Sequence, residues 1–183
     1  MKGDEKQIKE AAKEITSEMT ERKGNIFQQA TKDAASGKWI PKNALGITDA
    51  MTESLYSQAY RLYNTGKYDD AIELFRILTM CDPTESKFAM GLAACFHMLK
   101  DFKSAVGTYM LCSMMEPENP VPHFHASDCY LKMNDKVSAL IALEMAVTRA
   151  SEDPRYKALV DRATMTMDKI KEDFGRGKKK KGK

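Results

Sequence analysis

The run Leu55-Tyr56-Ser57-Gln58-Ala59-Tyr60-Arg61-Leu62-Tyr63-Asn64-Thr65-Gly66-Lys67-Tyr68-Asp69-Asp70-Ala71-Ile72-Glu73-Leu74-Phe75 decides the fold, because its landmarks return at a fixed interval. Ala71 recurs as Ala105 and as Ala139, 34 residues on each time. Phe75 recurs as Tyr109 and then Leu143, and Pro83 as Pro117, with Ser151 where a third proline would fall. Self-similarity at one period, with small residues at set places, predicts helical units that stack, since a single unit cannot bury its apolar face alone.

Numbering the units 52–85, 86–119 and 120–153 places the late proline at position 32, and the pattern is that of the tetratricopeptide repeat. Positions 4, 7, 8, 11, 20, 24 and 27 read Leu55, Gln58, Ala59, Leu62, Ala71, Phe75 and Leu78 in the first unit. The second reads Ala89, Leu92, Ala93, Phe96, Ala105, Tyr109 and Cys112, and the third His123, Ala126, Ser127, Tyr130, Ala139, Leu143 and Ala146. Small residues at 8 and 20 let the paired helices approach closely, and the large ones fill the space between pairs. The expected architecture is all-α: three tandem helix–turn–helix repeats over 51–153, N-terminal helices before them and a capping helix after them, forming a concave superhelical groove.

At 183 residues the chain is long enough for one domain with a real core. Its 43% hydrophobic and 30% charged content is that of a globular protein. No apolar run approaches the ~20 residues a membrane span needs, so no membrane insertion is expected. The start, Met1-Lys2-Gly3-Asp4-Glu5-Lys6, lacks the apolar centre of a signal peptide, which predicts a cytoplasmic protein. Net charge is +3, but six positives lie in Arg176, Lys178, Lys179, Lys180, Lys181 and Lys183, so the body without them carries −3. A mildly acidic body is a poor nucleic-acid platform. Cys81, Cys95, Cys112 and Cys129 form no Cys-x-x-Cys pair, and Cys95 and Cys129 share repeat position 10, which predicts buried, reduced thiols that serve packing.

Outside the repeats, residues 1–24 read as a charged helix with a narrow seam of Ile8, Ala12, Ile15 and Met19. Such a helix is marginal alone and predicts self-association through that seam. Gly24-Asn25 is expected to break it. A short helix at 26–36 and a linker fill 25–50, with an extended stretch beginning at Trp39-Ile40-Pro41. Gly66 is placed to cap the first helix of repeat one in the left-handed conformation. Asn119-Pro120 and Asp153-Pro154 pair a good cap with a helix-starting proline. The second of these opens a capping helix over 154–174 with Leu159, Ala163, Met167 and Ile170 inward, followed by a disordered basic tail at 175–183.

No catalytic constellation, phosphate loop or cofactor motif is present, so the chain reads as a non-enzyme without metal or cofactor. His123 and His125 are two apart and diverge on a helix, and His123 falls at a packing position. What stands out is a second stripe on the first helix of each repeat, at positions 2, 5, 9 and 12, which on an ordinary surface helix would be polar. Repeat one has Tyr56, Tyr60 and Tyr63 there; repeat two Lys87, Met90, Ala94 and His97; repeat three Val121, Phe124, Asp128 and Leu131. Tyrosine suits a face that is apolar with a wet tip, and methionine a surface that accepts varied side chains. The stripe therefore reads as a peptide-binding groove, or as packing for the N-terminal helix or a partner subunit.

Three stretches carry a more specific likeness: Leu55-Tyr56-Ser57-Gln58-Ala59-Tyr60 through Gly66-Lys67-Tyr68-Asp69-Asp70-Ala71; Met90-Gly91-Leu92-Ala93-Ala94-Cys95; and Pro122-His123-Phe124-His125-Ala126 with Cys129 after it. Together they resemble the translocator chaperones of type III secretion, the SycD/LcrH/IpgC-like class, over roughly 45–170. The resemblance implies a small cytoplasmic bacterial chaperone without ATPase activity. It implies a grip on an extended apolar segment of hydrophobic translocator proteins before export, and homodimers formed through the N-terminal region. It implies groove roles for Tyr56, Tyr60, Tyr63, Met90, Ala94, His97 and Phe124. The long charged N-terminal helix and the lysine tail depart from the family pattern. A repeat adaptor for another protein, recruited to anionic surfaces by the basic tail, is the alternative. A carboxylate clamp for a heat-shock chaperone would need Lys and Asn where Tyr56 and Tyr60 stand.

Overall fold

Each repeat turns at the same residue, and that residue takes the left-handed backbone. Gly66, Lys100 and Asn134 occupy position 15 of their units with φ of 78°, 64° and 60°. The amide after each turn bonds back to the carbonyl five residues earlier: Lys67 to Leu62 at 3.0 Å, Asp101 to Phe96 at 2.9 Å, Asp135 to Tyr130 at 2.9 Å. This is the helix-ending arrangement glycine favours, and the cap expected at Gly66 is formed. Asp101 and Asp135 then cap the next helix, accepting from the amides of Ser104 at 3.2 Å and Ser138 at 3.0 Å.

The computed structural model describes residues 21, 25, 40–150 and 153–181, with side chains up to Phe174. Among the described residues every regular element is helical: α1 (Pro41–Ala44), α2 (Asp49–Asn64), α3 (Tyr68–Cys81), α4 (Ser86–Met98), α5 (Phe102–Met115), α6 (Val121–Lys132), α7 (Lys136–Ala150), a 3-10 turn (Pro154–Tyr156) and α8 (Lys157–Lys181). The pairs α2/α3, α4/α5 and α6/α7 are the three repeats, and α8 follows them.

Two packing units divide these residues: those up to Ser54 with Met80–Asp82, and Leu55–Thr79 with those from Pro83 onward. In the first, Lys42 Nζ lies 2.8 Å from Asp49 Oδ1 and 2.6 Å from the buried Asp82 Oδ2. Both carboxylates raise the Lys42 pKa. A buried Asp82 needs such a partner.

The second unit carries the repeat core. Ala59, Ala71, Ala93, Ala105 and Ala139 are 0% exposed, as the small positions require. Phe75, Tyr109 and Leu143 fill position 24, each buried in its own apolar cluster. These clusters join α2 to α4 through Ala59 and Cys95, α4 to α6 through Ala93 and Ala126, and α6 to α8 through Leu131 and Ala163. All four cysteines are free and buried. Burial pushes the thiols of Cys95 and Cys129 to about 11 and that of Cys112 to about 12.

Some expectations are corrected. The basic tail does not begin where the helix ends, because α8 runs on to Lys181. Lysine is a good helix former, and Gly175 and Gly177 cost about 1 kcal/mol each without removing a donor as proline would. Asn25 has helical backbone, so the break expected at Gly24-Asn25 does not fall on it. Asparagine in a helix costs well under ~1 kcal/mol. Ile40 is extended at φ −122°, ψ 128°, but Pro41 opens α1 instead of prolonging the stretch, since proline fits the first helical turn. Asp153 caps as expected, accepting from the Arg155 amide at 2.9 Å, but onto a 3-10 turn before α8. Ser151, the helix over 26–36 and the seam of Ile8, Ala12, Ile15 and Met19 lie outside the described residues.

Candidate functional site

The 34-residue period puts positions 5 and 9 of α2 beside those of α4, and the side chains there, with Tyr63 at position 12 of α2, line a cleft of about 430 Å³. Six residues expected in the groove meet in it: Tyr56, Tyr60, Tyr63, Lys87, Met90 and Ala94. Its floor is Phe75 and Gly91. A Cβ built on Gly91 would fall 2.8 Å from Phe75 Cδ1 and closer still to Cε1 and Cζ, so glycine is what admits the ring.

The three tyrosines divide the work. Tyr60 is 53% exposed, a large ring left in solvent. Tyr56 stacks on it at 6.3 Å and 24°, yet also meets Phe75 edge-on at 6.1 Å and Phe88 at 5.7 Å. Tyr63 packs edge-on against Tyr68 at 5.5 Å, and burial raises its phenol pKa. Tyr56 and Tyr63 both pack on the first core cluster, so the ridge does not lie wholly outside the stacking surface. A tyrosine ring is wide enough to lend one face to the core and the other to the cleft. Lys87 Nζ stands 5.1 Å from the Tyr56 ring centroid, a cation over a π face.

At the cleft mouth Glu116 takes hydrogen bonds from Ser86 Oγ and, at 2.7 Å, from Asn119 Nδ2. These donors hold its carboxyl below the usual carboxylate range, so it is ionised at neutral pH. The rim thus offers one cation and one anion around an apolar floor.

Between α6 and α8 lies a second recess of about 270 Å³, lined by Phe124, Asp128 and Leu131 together with His125 and Arg162. His97 Nε2 is 3.0 Å from Asp128 Oδ2, tying repeat two to repeat three. His125 stacks on the buried Tyr109 at 5.5 Å and 20°. Burial, then the charge field of His97, lowers its pKa. The Arg162 guanidinium lies 5.3 Å over the Phe124 ring. Of the remaining expected residues, His97 reaches the site through Asp128. Val121 stands outside both recesses at the start of α6, its amide bonded to Asn119 Oδ1 at 3.0 Å.

The sequence reading missed Phe75 and Gly91 on the floor, Ser86, Glu116 and Asn119 at the mouth, and Arg162 on α8. Glu116 and Asn119 sit at positions 31 and 34, which the repeat pattern leaves unmarked. Arg162 had a usable signal, since it stands 34 residues after Asp128. Among the described residues no group of three or more His, Cys, Asp or Glu is placed to hold a metal, and no helix is long and apolar enough to cross a membrane. The two recesses present rings, a thioether and fixed charges.

The tetratricopeptide repeat family model matches residues 52–83 and 86–119. The low calcium response locus protein H of Yersinia pseudotuberculosis is 31% identical over 125 residues, covering 68% of this chain and 74% of that protein. The chaperone protein SicA of Salmonella typhimurium is 33% identical over 129 residues, covering 70% and 78%. The solved Yersinia enterocolitica type III secretion chaperone SycD, in complex with a peptide of the translocator YopD, superposes with a TM-score of 0.67 at 31% identity, covering 69% of this chain and 97% of that one. SycD is also known as an alternative dimer, with a TM-score of 0.66 at 31% identity over 69% of this chain and 96% of that one.

Proposed function

This chain belongs to the type III secretion translocator chaperones, and we propose that it keeps a hydrophobic translocator soluble in the bacterial cytoplasm before export. It does so by gripping an extended apolar segment of that cargo against Tyr56, Tyr60, Tyr63, Met90 and Ala94. The observation that carries this reading is Tyr60, 53% exposed at the lip of an apolar cleft on the face where the repeat phase predicts a groove. A translocator segment built to enter a membrane would aggregate if left bare in water. Covering the exposed half of one tyrosine removes ~100 Å² from water, about 2.5 kcal/mol at 25 cal/mol per Å². A few such contacts hold a segment firmly, and release needs no bond to break. SycD, solved with a peptide of the translocator YopD, supports the same use of this fold.

Titration of the full chain with that YopD peptide tests the reading. Tyr60→Ala is expected to weaken binding by on the order of 2 kcal/mol, about thirtyfold. Unchanged affinity would remove the tyrosine cleft from the account. We further propose a homodimer through Ile8, Ala12, Ile15 and Met19, a reading supported by the SycD dimer. A variant lacking 1–24 should sediment as a lighter species than the full chain, and equal sedimentation would place the contact elsewhere.

A further inference from the structure

We propose that Arg162 is a specificity-determining residue of the groove: it takes a carboxylate side chain of the bound segment, about five or six residues from the part of that segment seated among the tyrosines. The inference rests on the groove reading above and deepens it.

The register is the first support. Tyr60, Ala94 and Asp128 hold position 9 of the three repeats, and Arg162 follows at the same interval. Ala163, the next residue, is 0% exposed, as are Cys95 and Cys129, the residues after Ala94 and Asp128. The phase of burial therefore carries through α6 into α8. This helix is a fourth wall of the groove as well as a cap for the last repeat.

The second support is the state of the guanidinium. Its Cζ lies 5.3 Å from the Phe124 ring centroid, a cation held over an aromatic ring whose face accepts no hydrogen bond of carboxylate strength. Among the described residues no carboxylate is paired with it. The one acid in the same recess, Asp128, is engaged by His97 at 3.0 Å. A planar cation pre-positioned on an aromatic face, with five donors and no acid, has the chemistry to receive a carboxylate through two parallel hydrogen bonds. Its exposure to solvent makes the unpaired charge tolerable.

Geometry supplies the spacing. Packed helices lie roughly 8–10 Å apart, so the centres of the α2/α4 and α6/α8 recesses are about 16–20 Å apart. An extended chain covers about 3.3 Å per residue, which sets the five or six residues between the apolar anchor and the acid.

The test uses the full chain and the YopD peptide as template, with a single Glu or a single Gln walked through the positions on either side of its apolar anchor. At one register the Glu peptide should bind about tenfold tighter than its Gln counterpart at low salt, and the gap should narrow as salt rises. Arg162→Gln should abolish that gap, and Arg162→Lys should keep part of it; thermal melts confirm that both variants fold. Equal affinity of Glu and Gln peptides at every register, or a gap that survives in Arg162→Gln, overturns the proposal. Tyr60→Ala separates the two readings, because it should weaken Glu and Gln peptides alike. Should it weaken neither, the groove itself is wrong, and the role of Arg162 falls with it.

Discussion

Gly91 and Phe75 share one space: the ring of Phe75, which seals the first repeat, occupies the volume where any side chain on Gly91 would begin. Repeat one therefore packs on repeat two, and the cleft gains its floor, through the same pair. Gly91→Ala should lower stability by ~1–3 kcal/mol as the ring is forced aside. It should also weaken cargo binding. Reducing the ring in the same background, with Phe75→Leu, should restore part of the melting temperature, and a Gly91→Ala melt equal to the parent would contradict the contact.

The tyrosines should separate by function. Tyr60→Ala removes a mostly solvated ring and should leave the thermal melt nearly unchanged. Tyr56→Ala strips contacts with Phe75 and Phe88 and should destabilise by ~1–3 kcal/mol as well as weaken binding. Ala71→Leu, at a fully buried position, should destabilise by a similar ~1–3 kcal/mol. Melts of the three variants that fall in any other order would redraw the border between core and cleft.

Lys100 holds a left-handed backbone that glycine adopts freely at the matching Gly66. Lys100→Gly should raise stability by ~0.5–1 kcal/mol, and Asn134→Gly by less, because asparagine tolerates that conformation better. Denaturation midpoints at constant slope would measure both.

Acid should weaken the fold through two histidines. Burial holds His123 and His125 below the usual histidine range, with Arg149 adding to the effect at His123. Below about pH 6.5 the unfolded chain takes up protons that these rings in the folded chain do not, so stability falls as pH falls through that window. Each ring contributes a slope of up to ~1.4 kcal/mol per pH unit. His125→Phe, which keeps a ring on Tyr109, should flatten the melting temperature between pH 7 and 5. An unchanged slope would assign the acid sensitivity elsewhere.

The basic tail should be dispensable for cargo. Deleting 175–183 should shift affinity for the YopD peptide by less than tenfold, about 1.4 kcal/mol. A larger loss, measured by titration, would bring the tail into the site.

The legible part of this protein is the part that repeats. Ala59, Ala71 and Phe75 announce helix pairs because sterics at a close crossing admit so few alternatives, and the period then shows which positions face away from the stack. Individual environments are not periodic. Nothing in the spacing distinguishes Tyr60, left in water, from Tyr56, drawn half into the core by Phe75 and Phe88. The Ser86–Glu116–Asn119 cluster joins residues at the two ends of one repeat, where the pattern imposes no identity. Arg162 lies off the inward face of α8, the face that the apolar spacing of Leu159, Ala163, Met167 and Ile170 marks. His123 sits at a position that favours a large apolar residue, and among the described residues its two buried ring nitrogens have no hydrogen-bond partner, which no rule of spacing predicts.

The four buried thiols make the chain its own reporter of local opening. Cys81, Cys95, Cys112 and Cys129 fall one to each of four successive helices, α3 to α6. An alkylating reagent reaches each one only when its helix comes away from its neighbours, and burial suppresses the reactive thiolate at Cys95, Cys112 and Cys129 until that moment. The order in which the four sites label would trace how opening spreads along the array. The same experiment with cargo bound would show which turns of the solenoid the cargo clamps shut.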